Sequence, residues 1–167
     1  LAVLGDKWEN DTVRRRLKQW FWCGVMGELY GSAVETRFAR DLVDVLTWLD
    51  GEGGTPQTIE DASFVPERLY TMRTRQSAAY KGVHALVMRD GGMDFRTGVP
   101  IDEATYFDEY IDIHHLFPRS WCNSNGIEAA RRDSIVNKAP LSARTNRIIG
   151  GGAPSQYLRR LERDFEM

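Results

Sequence analysis

Cysteine is scarce in this sequence. Only Cys23 and Cys122 occur among 167 residues, and neither belongs to a Cys-x-x-Cys pair. Two cysteines so far apart exclude a disulfide framework and a four-cysteine zinc site as organising features of the chain. We therefore expect a reducing, cytoplasmic setting in which each cysteine is a small buried hydrophobic side chain.

Long apolar runs and a leader sequence are also lacking. No stretch approaches the roughly 20 consecutive apolar residues that a membrane-spanning helix needs, so we expect no membrane partner. The chain starts at Leu1, without an initiator methionine, a charged leader or a cleavage site. These features predict a fragment of a longer protein without a signal peptide.

Several catalytic signatures are absent as well. The sequence has no P-loop, no dinucleotide-binding fingerprint and no serine or cysteine nucleophile accompanied by its base. It does contain 42% hydrophobic and 28% charged residues, which is enough for a sizeable core. We expect one globular domain, with two subdomains as the alternative.

Charge is divided unevenly along the chain, although the net charge is only −2. Residues 114–167 carry nine lysines and arginines against five acidic residues, a balance of +4. The first 113 residues carry 13 basic and 19 acidic groups, a balance of −6. A basic C-terminal third is compatible with phosphate contacts, although a solvated surface would have the same composition.

Apolar residues recur at helical spacing through the first two thirds of the chain. They predict a helix near 11–29 with Asn10, Asp11 and Thr12 as candidate caps, a second helix over 34–49, and one or two more between 66 and 89. The aromatic and aliphatic side chains on these helices are expected to form a core. They include Phe21, Phe38, Leu42 and Val87.

The pattern changes after Gly91 and Gly92, where short apolar segments replace the helical spacing. Alternation predicts a strand at 111–114, and a turn at Asn137-Lys138 should lead into a second strand. The expected fold class is α+β and mainly α-helical. A turn or hairpin is expected at 95–101 and an acidic connector at 106–110. A helix capped by Ser142 and ended by Gly150 should follow the second strand. The last helix should start at Pro154, with Tyr157, Leu158 and Leu161 facing inward.

Two adjacent histidines, His114 and His115, precede Pro118. Hydrolysis of a phosphodiester needs an activated water on one side of phosphorus and charge stabilisation at the leaving oxygen. Adjacent strand residues point in opposite directions, so the two histidines suit two separate roles. We assign His115 as the general base, because a neutral imidazole accepts protons near neutral pH. His114 and Asn146 are assigned as ligands of one divalent metal, with Asp112 orienting a ring nitrogen of His114.

Three segments resemble the ββα-metal motif of HNH, or His-Me finger, nucleases: DIHHLFP at 112–118, DSIVNK at 133–138 and RTNR at 144–147. In that family a metal ligand precedes the general-base histidine and a proline follows it, an order that His114, His115 and Pro118 match. The resemblance implies that Asn137 belongs to the catalytic site as the asparagine that braces the loop between the strands. It also implies that the helices pack around a small ββα-metal unit.

The resemblance implies one divalent metal ion and DNA as substrate. Mg²⁺ is the first expectation; Mn²⁺, Ni²⁺ or Zn²⁺ are the alternatives, because this chain has His114 where many relatives have aspartate. Asn146 likewise stands where other relatives have histidine. The basic residues around the proposed centre are expected to contact DNA phosphates. They are Arg119, Lys138, Arg144 and Arg147.

Over its whole length the chain is similar to the C-terminal nuclease region of GmrSD-like type IV, modification-dependent restriction proteins. The segments that carry this similarity include 30–37, 78–82 and 153–158. It implies a helical subdomain at 1–110 and an HNH unit with a C-terminal helix at 111–167. It further implies DNA nicking or cleavage in antiviral defence, with a nucleotide-hydrolysing, DNA-sensing N-terminal domain as partner.

Other interpretations remain open at this point. A catalytically weak or inactive DNA-binding or adaptor module could keep the same fold, and the replacement of a carboxylate ligand by His114 favours that alternative. An RNA-cutting nuclease of the same fold is a third interpretation. Outside the motif, His84 is expected to be a structural histidine. Arg73, Arg75 and Lys81 are expected to lie on solvated helix faces.

Overall fold

The computed structural model describes residues 3–31, 34–102, 105–106 and 111–166. Within these residues the chain is mainly helical and has one two-stranded antiparallel sheet, which confirms the predicted α+β class. No helix in the described ranges is long and apolar enough to span a bilayer. The predicted connector at 106–110 lies outside the described residues, apart from Tyr106.

The chain divides into two compact units. The first comprises Leu1–Val65 and Ser77–Gly82, and the second comprises Pro66–Gln76 and Val83–Met167. The second unit therefore contains the described part of the segment 111–167, together with residues that the sequence-based division places in the helical subdomain.

The first unit is helical. Its elements are a 3-10 helix at Gly5–Glu9, α1 at Asp11–Gly27, α2 at Val34–Asp50 and α3 at Gln57–Glu60. Helix α1 begins where expected because the Asn10 side chain accepts hydrogen bonds from the backbone N–H groups of Thr12 and Val13. It ends at Gly27, because Glu28 has the left-handed backbone conformation that closes many helices. One buried hydrophobic cluster of this unit comprises Leu4, Val13, Val45 and Leu49.

The expectation that all apolar residues of the predicted helices form a core is wrong at four positions. Phe38 and Leu42 of α2 are 52% and 58% exposed, and Phe21 and Val87 are exposed as well. Phe38 and Leu42 lie on the same side of α2 as the buried Val45, but there they line an open apolar groove of about 390 Å³. Periodicity locates the apolar face of a helix, and it does not determine how much of that face is covered.

The second unit has the predicted order of strand, loop, strand and helix. Strand β1 at Asp112–His115 pairs antiparallel with β2 at Lys138–Leu141. The remaining elements are α4 at Arg68–Thr71, α5 at Ala78–Arg89, whose first residues belong to the first unit, α6 at Arg119–Ser124, α7 at Ala129–Arg132, a 3-10 helix at Ile135–Asn137, α8 at Ala143–Ile149 and α9 at Pro154–Glu166.

The predicted ends of α8 and the start of α9 are confirmed. The Ser142 side chain caps α8 by accepting from the backbone N–H of Thr145, and Gly150 follows its last residue. Tyr157 and Leu161 of α9 are buried, but the prediction for Leu158 is wrong, since it is 47% exposed. Residues 157 and 161 are one helical turn apart and share a face, whereas residue 158 is rotated by about 100°.

A short hairpin-like turn precedes the sheet, as predicted for 95–101. Met93 and Pro100 form an isolated antiparallel bridge. Gly98 within this turn has a φ of 63°, a conformation that glycine adopts without steric cost. The carboxylate of Asp94 accepts from the backbone N–H groups of Arg96 and Thr97, which stabilises the turn.

Candidate active site

A small polar cleft lies beside the sheet in the second unit. It has a volume of about 130 Å³. The sequence-predicted base, both predicted metal ligands and one predicted DNA-binding arginine line it together. The complete lining is His114, His115, Pro118, Arg119, Asn146, Ile149 and Gly150.

The pairing of the two strands explains how distant residues meet in this cleft. His115 lies opposite Lys138, and Asp112 lies opposite Leu141. Helix α8 starts at Ala143, two residues after β2, which brings Asn146 back to the histidines of β1. His114 and Asn146, which are 32 residues apart in the sequence, therefore lie in the same cleft.

Asn137 braces the loop that follows β1. It is only 8% exposed, and its side-chain amide donates to the carbonyl oxygens of Phe117 and Arg132 at 3.0 and 2.8 Å. Its carbonyl oxygen accepts from the backbone N–H of Phe117 at 2.8 Å. These hydrogen bonds match the bracing predicted for Asn137. Asn137 does not line the cleft; its hydrogen bonds act on the loop that follows His115, and its assignment to the catalytic site stays a prediction.

Further contacts hold the chain on the C-terminal side of His115. The backbone N–H of Leu116 donates to the Asn137 carbonyl at 2.9 Å, and the Tyr157 hydroxyl donates to the Leu116 carbonyl at 3.0 Å. The Ser120 hydroxyl donates to the carbonyl of Gly151 beyond the end of α8. The two sides of the cleft are thus tied together by hydrogen bonds that do not use the cleft-lining polar side chains.

His115 is hydrogen-bonded to an acid that sequence reasoning did not assign to the site. Its Nε2 lies 3.0 Å from Oδ1 of Asp133, at the end of α7. The other oxygen of Asp133, Oδ2, accepts from Nη2 and Nε of Arg132 at 2.6 and 3.2 Å. Nε of Arg119 lies 3.7 Å from Oδ1. Asp133 is therefore hydrogen-bonded to both the proposed base and Arg132, and it forms a longer ion pair with Arg119.

The surroundings of His115 and Asp133 lower the pKa of both side chains. The hydrogen bonds from Arg132 lower the pKa of Asp133 to about 2, so its carboxylate is charged at neutral pH. Burial lowers the pKa of His115, an effect that the hydrogen bond to Asp133 only partly offsets. His115 is therefore a neutral imidazole at neutral pH, the form that can accept a proton.

Asp112 is hydrogen-bonded to Arg75 and within its own strand, and its role in orienting His114 stays a prediction. Its carboxylate accepts from Nη1 of Arg75 at 2.6 Å and from its own neighbour, the Ile113 N–H, at 2.7 Å. Arg75 also donates to the Ile113 carbonyl at 2.6 Å, so it anchors the first half of β1 instead of lying free on a solvated face. The local pattern did not indicate Arg75 as a partner of Asp112, because the two residues are 37 positions apart in the sequence.

His114 and Asn146 are chemically suited to hold a divalent metal. Burial lowers the pKa of His114, so its imidazole is neutral and free to coordinate at neutral pH. No group of three or more His, Cys, Asp or Glu side chains suited to a metal occurs among the residues that the structure describes. An ion held by His114 and Asn146 would therefore need water or phosphate oxygens to complete its coordination. A neutral nitrogen and amide set suits Mn²⁺, Ni²⁺ or Zn²⁺ better than it suits Mg²⁺.

Asp94 is a second residue that sequence reasoning missed. It is buried and accepts from the Thr145 hydroxyl at 2.6 Å and from the Ser142 N–H at 2.9 Å, both at the start of α8. Burial alone would raise the pKa of Asp94, but the hydrogen bonds from Thr145, Ser142 and Arg96 outweigh it and the pKa is lowered. A carboxylate at this helix N-terminus fixes the helix that carries Asn146.

The four basic residues predicted to contact DNA differ in their surroundings. Arg119 lines the cleft and is exposed. Lys138 is half-buried, and its Nζ lies 3.4 Å from the Arg73 carbonyl. Arg144 pairs with Asp164 of α9 at 3.2 Å. Arg147 is exposed and forms no hydrogen bond or ion pair within the described part of the chain.

His84, the third histidine, is buried in α5 and lies outside the cleft. Burial, followed by the charges of Lys138 and Arg75, lowers its pKa to about 4, so it is uncharged at neutral pH. These surroundings are those expected of a structural histidine.

Comparison with known proteins places the chain beside a distant archaeal relative. An uncharacterized protein of Methanocaldococcus jannaschii is 27% identical over 150 residues, which is 87% of this chain and 25% of that protein. The chain therefore spans about a quarter of that relative's length. No model of a known protein family matches the chain, and no solved structure matches it.

Proposed function

We propose that this chain is a metal-dependent endonuclease domain that hydrolyses phosphodiester bonds in DNA. One observation carries the proposal: the base His115 and the metal-ligand pair His114 and Asn146 line one polar cleft, within a strand, loop, strand and helix unit. The resemblance of the segments 112–118, 133–138 and 144–147 to the HNH motif supports the same function.

In the proposed reaction His115 removes a proton from a water molecule. The water oxygen forms a new bond to phosphorus, and the bond between phosphorus and the leaving ester oxygen breaks, with its electron pair staying on that oxygen. A divalent ion held by His114 and Asn146 would supply charge stabilisation at the leaving oxygen. Arg119, at the edge of the cleft, is placed to contact the substrate phosphate.

The biological setting is part of the proposal and depends on the resemblance to GmrSD-like restriction proteins. In that setting the nuclease acts in the cytoplasm in antiviral defence, together with a nucleotide-hydrolysing and DNA-sensing domain. Modified DNA would then be the substrate.

A DNA-binding module without turnover is the second candidate. It is favoured by the metal-ligand pair, which contains no carboxylate. A site of two neutral ligands gives a divalent ion less binding energy than a site with a charged oxygen ligand.

Incubation of supercoiled plasmid with the protein tests these alternatives. The reactions contain Mg²⁺, Mn²⁺, Ni²⁺ or Zn²⁺, each with and without excess chelator, and a parallel set contains RNA of matched sequence. The nuclease proposal predicts nicked or linear plasmid with at least one metal and none with chelator. Binding of plasmid without cleavage under every condition identifies the binding module, and cleavage of RNA alone rejects DNA as the substrate.

A further inference from the structure

We propose that Asp133 is the positioning residue for the base, holding the His115 ring in the tautomer that can accept a proton on Nδ1. The inference rests on the proposed nuclease function and adds a residue to it. Its basis is the contact between Nε2 of His115 and Oδ1 of Asp133, which spans 18 residues of sequence.

The direction of this hydrogen bond follows from what each group can do. An ionised carboxylate only accepts, so the nitrogen that faces Asp133 must carry the hydrogen. In the neutral ring the lone pair then lies on Nδ1. No residue in the described ranges forms a hydrogen bond with Nδ1. His115 lines the cleft and Asp133 does not, so the imidazole ring lies between the Asp133 carboxylate and the cleft.

Asp133 is itself held in place by charge and by the backbone. Arg132 donates to Oδ2 and also to the side-chain oxygen of Asn123 at 2.6 Å. The carbonyl of Arg132 accepts from the Asn137 side chain at 2.8 Å. The asparagine that braces the loop after His115 thus also fixes the residue before Asp133. A carboxylate anchored on its other oxygen can orient an imidazole instead of rotating freely.

This arrangement matters at the moment of proton transfer. When Nδ1 takes the proton from water, the ring becomes an imidazolium with hydrogens on both nitrogens, and the proton on Nε2 stays there. The positive charge then lies against the Asp133 carboxylate, which stabilises it. The proton balance is complete, since one proton leaves water and one arrives at Nδ1.

Two readouts test the inference with Asp133→Asn and a matched control, Asp61→Asn. Asp61 also pairs with an arginine, Arg37, at 3.0 Å and is similarly exposed, but it belongs to the first unit. The first readout is the single-turnover rate of plasmid nicking at saturating DNA and metal, measured together with DNA affinity. The second is the ¹⁵N NMR spectrum of histidine-labelled protein without metal, where each of the three histidines can be assigned by its own substitution.

We expect the wild-type spectrum to show His115 with hydrogen on Nε2 and a bare Nδ1. Asp133→Asn should populate the other tautomer. The amide of asparagine can donate a hydrogen bond to Nε2, and the hydrogen of the neutral ring then lies on Nδ1. The nicking rate should fall at least 10-fold, within the roughly 10²–10⁴-fold that a general base contributes. DNA affinity should be unchanged, and Asp61→Asn should leave both readouts as in the wild type.

The inference and the proposed function can fail separately. A wild-type spectrum with hydrogen on Nδ1 overturns the inference even if Asp133→Asn does not fold. Equal nicking by Asp133→Asn and Asp61→Asn also overturns it, although the nuclease stands. A wild-type protein that shows the expected tautomer but cleaves nothing with any metal rejects the nuclease and leaves the Asp133 contact as a structural one.

Discussion

Two concave surfaces, one in each unit of this protein, differ in size and in the chemistry of their lining. The groove of the first unit is large, about 390 Å³, and is lined mainly by apolar side chains of α1 and α2. The cleft of the second unit is about a third as large and is lined by His114, His115, Arg119 and Asn146. Volume alone would select the groove as the active site. The cleft is the better candidate, because hydrolysis needs convergent groups that move protons and bind ions.

The carboxylates next to these two surfaces show the same contrast. Asp41 in the first unit is buried and accepts from neutral donors, the Trp20 indole, the Tyr30 hydroxyl and the Thr58 hydroxyl. Asp133 in the second unit is partly exposed and accepts from His115 and from Arg132. A carboxylate with neutral, buried partners stabilises a core, whereas one paired with an imidazole at a cleft can affect chemistry.

The largest expected effect is at His115. His115→Ala should lower the plasmid nicking rate by at least the roughly 10²–10⁴-fold that a general base contributes, with little change in DNA affinity. Nicking at saturating metal and the melting temperature are measured on the same preparation. Wild-type activity in His115→Ala would remove it as the base.

The next comparison sets Asn137 against Asp41. Asn137→Ala removes three hydrogen bonds to backbone groups, and we expect a loss of about 3 kcal/mol in unfolding free energy together with lower activity. Asp41→Asn should also destabilise, by roughly 1–3 kcal/mol, but the protein that remains folded should cleave DNA at the wild-type rate. Denaturant titration and specific activity per folded molecule check both variants. A reduced cleavage rate in folded Asp41→Asn would contradict the assignment of Asp41 to stability alone.

A smaller effect is expected when a metal ligand is removed. Asn146→Ala should raise the metal concentration needed for half-maximal nicking by about 10- to 100-fold, and excess metal should restore part of the rate. The matched control is Gln156→Ala, which removes an exposed amide from α9. A metal dependence identical to that of the control would show that Asn146 does not hold the ion.

The smallest effect is expected from single phosphate contacts. Arg147→Ala should weaken binding to DNA of any sequence and reduce the slope of log affinity against log salt by about one counterion. Arg144 already pairs with Asp164, so Arg144→Ala should change binding less. Arg159→Ala on α9 is a second control. An unchanged slope together with a lower melting temperature would identify Arg147 as structural.

Local sequence patterns predicted the elements that carry the site. The spacing of apolar residues located α1 and α2, and Ser142 and Gly150 marked the two ends of α8. The same patterns misjudged Leu42 and Leu158, because a helical repeat does not reveal which part of an apolar face another element covers. For the site, the motif identified residues that do line one cleft, while their roles stay predictions.

By itself, the sequence determined which segments form helices and strands and which residue types are available for chemistry. It did so because caps, turns and hydrophobic spacing act between residues only a few positions apart. Only the tertiary structure decided the partners of the charged groups: Asp112 with Arg75, Asp133 with His115, and Asp94 with Thr145. The two members of each pair are 18 to 51 residues apart in the sequence. Whether they meet therefore depends on how whole helices and strands pack, because packing decides which donor lies within hydrogen-bonding distance of each acid.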